Sequence, residues 1–156
     1  MIKAWLNRSL MVVAMATSSM AMAEVTVEDA YARAVPPGQM NSASFMVLKN
    51  NTAEDIALVS SRSSVAKVVE LHNHINENGV MKMRQVAKIN VPANGMTLLK
   101  PGSYHVMLIG LKQDLIAGEN IDLELTFSDG SSQTLTLPIK KVMGGMMKHQ
   151  KQNKHH

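Results

Sequence analysis

The side chains with the most chemistry to offer lie between residues 72 and 107. They read His72-Asn-His74-Ile-Asn-Glu-Asn78-Gly79-Val-Met81-Lys-Met83 and, further on, Tyr104-His105-Val-Met107. Three pairs stand two residues apart: His72/His74, Met81/Met83 and His105/Met107. On a β-strand, residues i and i+2 project from one face. Three extended segments would therefore each present two soft or borderline donors to one side. Neutral thioethers do not compete for hard ions such as Mg²⁺ or Ca²⁺, and Zn²⁺ favours His, Cys and carboxylate. Thioether combined with imidazole selects Cu(I). Such donors carry no thiol to oxidise, and two His with two Met would close a roughly tetrahedral site around a d¹⁰ ion.

The turn between the first two pairs sets their geometry. Asn78-Gly79 predicts a type I′ hairpin, because both central residues must take positive φ. Glu77 then pairs with Val80, His74 falls opposite Met83, and His72 falls opposite Gln85 and diagonal to Met83. Met81 lies opposite Asn76. Opposed Cβ atoms are ~5 Å apart and diagonal ones ~7–8 Å, so a His and a Met can converge on one ion across either gap. Val69 and Leu71 alternate with Glu70 and His72, and Tyr104, Val106 and Leu108 alternate with His105 and Met107. The ligand pairs should therefore point away from the core, which argues against buried structural histidines. Met46 and Met96 are expected in the core and Met40 in a loop, while Met81 is ambiguous.

The elements that must hold these residues read as β throughout 24–139. Short runs rich in Val, Leu, Ile and Thr are divided by turn residues. Strands are expected at 25–33, 42–49, 56–61, 67–74, 80–86, 96–100, 104–108, 121–127 and 133–139. Pro36-Pro37-Gly38, Pro92-Ala-Asn-Gly95, Pro101-Gly102 and Asp129-Gly130 mark turns. A helical turn is expected only around 113–117. Seven to nine short strands with this punctuation predict an all-β, antiparallel β-sandwich or small barrel.

The 156 residues suffice for one domain with a core. Residues 1–23 have the layout of a secretory signal peptide: Lys3 and Arg8, then the apolar run Leu10-Met-Val-Val-Ala-Met-Ala16, then Ala21-Met-Ala23. That run is too short to span a bilayer. The expected address is the periplasm, with no membrane span in the mature form. The absence of cysteine argues against a lipid anchor on an N-terminal Cys and excludes thiolate metal sites, including the His₂Cys blue-copper centre. The net charge of +4 is uneven: residues 24–139 hold nine Lys and Arg against twelve Asp and Glu, and the excess of lysine begins at Lys140. No basic groove interleaved with aromatics is present, which argues against nucleic acid as a partner. Residues 140–156 lack periodicity and read as a flexible tail. Met143, Met146, Met147, His149, His155 and His156 make it a compositional candidate for auxiliary metal capture.

At these residues the chain resembles the periplasmic copper chaperones that serve the Cu(A) centre of cytochrome c oxidase. Their signature is His, ten residues, Met, twenty-one residues, His-x-Met, and His72, Met83 and His105-Val-Met107 fit it without a gap. Arg33-Ala-Val-Pro-Pro-Gly-Gln39, Val69-Glu-Leu-His72 and Lys100-Pro-Gly-Ser-Tyr-His-Val-Met-Leu-Ile-Gly-Leu-Lys112 also look like that family. The resemblance implies a cupredoxin-like, Ig-like sandwich binding Cu(I) through His72, Met83, His105 and Met107. It further implies a monomeric, non-enzymatic chaperone that hands copper to an acceptor, such as an oxidase subunit or another copper chaperone. The tail matches a His/Met-rich extension that in some members adds a second copper, as Cu(II). The hairpin register places His74 nearer Met83 than His72, and a β-bulge would reconcile it with the signature. The alternatives are copper sequestration without delivery, a copper oxidase or dismutase, for which three body histidines are too few, and an adhesion-type sandwich.

Overall fold

The computed structural model describes residues 24–142. Ten strands follow one another: β1 (Val25–Arg33), β2 (Asn41–Asn50), β3 (Ile56–Arg62), β4 (Ala66–Glu77), β5 (Val80–Gln85), β6 (Ile89–Val91), β7 (Met96–Leu99), β8 (His105–Leu111), β9 (Asn120–Phe127) and β10 (Ser132–Lys140). Their order is β5-β4-β8-β2-β1-β10-β9-β3-β6, with β7 also paired to β2. One layer, β5-β4-β8-β2-β1, packs on the other, β10-β9-β3-β6. Leu71, Val106 and Leu108 from the first meet Leu58, Leu123, Leu125 and Leu137 from the second in a single core. The expected all-β sandwich is present.

Alternation explains each layer. In β9, Ile121, Leu123, Leu125 and Phe127 are buried, while Asp122 lies exposed between them. In β8, Val106 and Leu108 are fully buried. A shift of one residue would turn each of these sets into water, so the apolar face pins the register.

Several expectations need correcting. The sheet is not wholly antiparallel, because β1 runs parallel to β10 where Ala32 meets Ile139 and Arg33 meets Lys140. The two ends of the domain meet there, and the rest of the chain serves as the long crossover that parallel pairing requires. Among the described residues there are ten strands rather than nine. Ile89–Val91 is too short for periodicity to reveal, yet it completes the edge beside β3. Residues 113–117 form no helix. Leu115 is fully buried as a lone anchor, and Gly118 N–H bonds the Ile139 carbonyl at 3.0 Å, so core and sheet claim a segment too short to nucleate a helix. Met46 is buried as expected, but Met96 is 61 % exposed. Met96 pairs with the outward Lys49, and Leu99, opposite Met46, takes the inward place.

β1 contains a bulge between Glu28 and Tyr31, with Asp29 at φ 51°. Ahead of it Val25 and Val27 pack on the core; after it Ala30 and Ala32 do. The extra residue changes which set faces inward and turns Tyr31 and Arg33 onto the outer face beside Phe45.

Leu108 lies directly behind the outward His105 and Met107 and has no solvent exposure. Leu108→Ala should cost about 2–5 kcal/mol. Urea unfolding followed by circular dichroism should show a lower midpoint at unchanged slope.

Candidate metal centre

The outer face of β5-β4-β8-β2-β1 gathers the candidate donors. The β4–β8 ladder sets His72 opposite His105 and Glu70 opposite Met107. The β4–β5 ladder sets His74 opposite Met83, and the β2–β8 ladder sets Ala43 opposite Met107. The hairpin takes the expected form, with Asn78 at φ 54° and Gly79 at φ 81°. Its register is continuous from His72–Gln85 to Glu77–Val80. No bulge therefore exchanges His72 for His74 at Met83. Met81 pairs with Asn76 near the tip of the arm, is exposed, and lies apart from the cleft described next.

A cleft of about 310 Å³ opens on this face, lined by Arg33, Phe45, His74, Met83, His105 and Met107 among others. His72 borders the group rather than the cleft. The His105 ring centroid lies 5.1 Å from that of His74 and 5.7 Å from that of His72. His105 points away from the core and yet is only 2 % exposed, so the expectation of an open, outward ligand holds for direction and fails for access. Phe45 packs 6.3 Å from it on the third side, and Phe45 is covered in turn by Tyr31 at 5.4 Å and the Arg33 guanidinium at 5.6 Å. The β1 bulge makes this wall possible.

Hydrogen bonds determine which ring nitrogens are free. Pro101-Gly102 forms a tight turn in which Ser103 N–H bonds the Lys100 carbonyl at 3.0 Å, with Gly102 at φ 82°. Positive φ after a proline marks a type II turn. The turn presents the Ser103 carbonyl to His105 Nδ1 at 3.0 Å, and to His74 Nδ1 at a longer 3.4 Å. A carbonyl can only accept, so His105 Nδ1 carries the proton and Nε2 keeps the lone pair. The Glu70 carboxylate sits 2.7 Å from His72 Nε2 and by the same logic leaves the lone pair on Nδ1. Both lone-pair atoms, His72 Nδ1 and His105 Nε2, are buried without a partner.

Burial pushes the His105 pKa down, and the nearby His74, His72 and Arg33 add to this, while the bond to Ser103 acts in the opposite sense. The shift favours the neutral imidazole, the form that ligates a metal. Among the described residues no three His, Asp or Glu side chains converge as a metal cluster. The further donor side chains lining the cleft are the thioethers of Met83 and Met107, a type that suits a soft d¹⁰ ion. Glu70, Ser103 and Phe45 were not singled out from the sequence. Glu70 alone left a signal there, two residues before His72 and so on its face. Residues 1–23 and the tail donors Met143, Met146, Met147, His149, His155 and His156 lie outside the described residues.

The fold that carries this face is found in solved structures. The copper-bound PCuAC domain from PmoF2 matches with a TM-score of 0.66 and 18 % identity, over 78 % of this chain and 97 % of that one. The solution structure of CuI-DR1885 from Deinococcus radiodurans matches with a TM-score of 0.64 and 30 % identity, over 82 % of this chain and 85 % of that one. The fold is thus the β-sandwich of PCuAC domains. Residues 25–139 match the family described as "Putative lipoprotein LpqE-like", and the chain belongs to that LpqE-like family. A relative, "Putative lipoprotein Lxx21020" of Leifsonia xyli subsp. xyli (strain CTCB07), is 35 % identical over 121 residues, 77 % of this chain and 72 % of the relative. No helix among the described residues is long and apolar enough to cross a membrane.

Long-range ¹⁵N correlation spectra of the metal-free protein should show neutral His72 protonated at Nε2. Glu70→Ala should remove that preference while leaving the His105 tautomer, held by Ser103, unchanged. Finding His72 protonated at Nδ1 in the parent would contradict the assignment.

Proposed function

We propose that this protein is a copper carrier acting outside the cytoplasm. It holds one Cu(I) through His72, Met83, His105 and Met107 and passes it on by ligand exchange. The observation that carries this reading is the pair of buried imidazole nitrogens without partners, His72 Nδ1 and His105 Nε2. A buried polar atom left unpaired costs about 1–3 kcal/mol. Two on neighbouring rings, both with lone pairs and with thioethers nearby, match what a Cu(I) ion would fill. The spacing of the same two histidines with Met83 and Met107 supports the reading from the sequence. So do the copper-loaded domains that share the fold.

The donors are unequal, which suits a carrier. The free imidazole nitrogens are buried, whereas Met83 is 43 % exposed on the arm made by β4 and β5. A neutral thioether at the surface can leave while an acceptor's ligand enters. Copper stays monovalent throughout, so neither an open coordination position nor a redox partner is required. The acceptor is of the kind that builds a copper centre, such as an oxidase subunit or a further copper chaperone. Residues 1–23 would direct export to the periplasm, residues 24–139 form the carrier body, and the carrier acts as a monomer. Sequestration is the second reading, favoured by the three Met and three His of residues 143–156, which could take an additional copper as Cu(II).

Met107→Leu with His105→Gln keeps the volume of both side chains. The double variant should stay folded and lose affinity for Cu(I) by roughly 100-fold or more, since even outer-shell changes reach that scale. Competition with a chromophoric Cu(I) chelator under anaerobic conditions reads this, and unchanged stoichiometry and affinity would sink the assignment. Anaerobic titration with and without residues 140–156 should give one tightly held Cu(I) in both forms. Additional copper bound only by the full chain would support sequestration by the tail.

A further inference from the structure

Around His105 the outer face gathers one more imidazole than a site of two His and two Met uses, since both His72 and His74 lie beside it. We propose that His74 is a mouth-side ligand that exchanges with His72, so that copper moves between two stations sharing Met83, His105 and Met107. This deepens the proposed copper site and rests on it.

Position comes first. The unbroken β4–β5 ladder sets His74 directly opposite Met83, with His72 one step deeper on the same face. His74 lines the cleft together with Met83, His105 and Met107, and His72 does not. An ion entering from solvent therefore meets His74 before His72. The two rings lie at similar distances from His105, with centroids 5.1 Å and 5.7 Å away, so one His105 can serve both arrangements.

The two rings are also held differently. His72 is tied to Glu70 by a 2.7 Å bond, and its free nitrogen is buried. That is a preset donor, with its orientation fixed before the metal arrives. The polar contact of His74 is the 3.4 Å approach to a carbonyl that already accepts from His105 at 3.0 Å. So weak a tie leaves the ring free to turn toward an ion. His74 also leaves no buried nitrogen without a partner. Its lone pair is not stored for a resident metal, which marks it as a transfer group.

The exchange balances without a co-reactant. One neutral imidazole forms a Cu–N bond as another neutral imidazole releases one. The ion remains Cu(I), no proton leaves, and three donors stay bound. A d¹⁰ ion has no geometric preference from its d-electrons, so passage through three- or five-coordination meets no ligand-field barrier.

His74→Gln and His72→Gln in the full chain, each loaded anaerobically with one Cu(I), separate holding from transfer. The readouts are equilibrium affinity against a chromophoric chelator and the stopped-flow rate at which that chelator removes copper. His74→Gln should keep affinity within roughly threefold of the parent and slow removal on the order of tenfold, whereas His72→Gln should lower affinity on the order of tenfold. An unchanged removal rate in His74→Gln would make that residue a bystander and overturn the proposal. Affinity lost in His74→Gln and kept in His72→Gln would make His74 the resident ligand, which also overturns it. Failure of the underlying copper reading looks different: the parent itself would bind no Cu(I), or would bind it no better than the His105→Gln, Met107→Leu double variant.

Discussion

The pairing of β4 with β8 is the constraint from which the rest follows. It joins two segments more than thirty residues apart and sets Leu71 opposite Val106 on one face and His72 opposite His105 on the other. The inner pair belongs to the core, and the outer pair is the centre of the candidate site. A slip of one residue would bring the imidazoles inward and send Leu71 and Val106 into water. Each such side chain contributes about 1.5–3 kcal/mol on burial, so the core enforces the register that the metal chemistry needs. Stability and function here are two faces of the same ladder.

The second requirement is a dry environment for His105, and this comes from farther away. The bulge at Asp29 turns Tyr31 and Arg33 outward, where they cover Phe45, and Phe45 covers His105. Buried Ser44 and Ser42 bond the carbonyls of Tyr31 and Arg33 at 2.9 Å and 2.6 Å, which fixes the strand after its irregularity. The Lys100–Ser103 turn supplies the carbonyl that fixes the tautomer. A bulge in β1 and a proline-glycine turn thus prepare one lone pair.

Local rules made much of this legible in the chain. Asn78-Gly79 specifies its own turn, so the arm could be registered residue by residue, and the alternation about Leu71 and Val106 showed which way the histidines point. Most strand bounds were readable to within a few residues for the same reason. What escaped depends on contacts distant in sequence. The three residues of β6 acquire their role only beside β3. The bulge in β1 is invisible because Val25, Val27 and Tyr31 alternate convincingly without it. Leu115 gives up a local turn for a place in the core, and Met96 faces out because Leu99 holds the inward position. The burial of His105 needs the wall from β1 and β2. Glu70 was legible by its spacing, but its bond to His72 requires the rotamers.

The arm formed by β4 and β5 shows why a copper carrier would be built unevenly. Every residue of β5 is exposed, and beyond Asn73 the arm's ladder partners lie within the arm itself. Its far face carries Glu77 bonded to Lys82 at 2.7 Å and to Arg84 at 3.0 and 3.1 Å, and those partners hold the Glu77 carboxyl below its usual range. Such solvent-exposed pairs add little stability, and an arm with few buried contacts is expected to open more readily than the core strands. His105 and Met107 belong instead to β8, which is anchored between β4 and β2 over the core. A cleft with one rigid wall and one compliant wall can keep two donors fixed while the others adjust to the ion. In the carrier proposed above, capture would follow the order of exposure, from Met83 and His74 inward. Release would run the same path in reverse, and an acceptor would have to compete only for the donors on the compliant side.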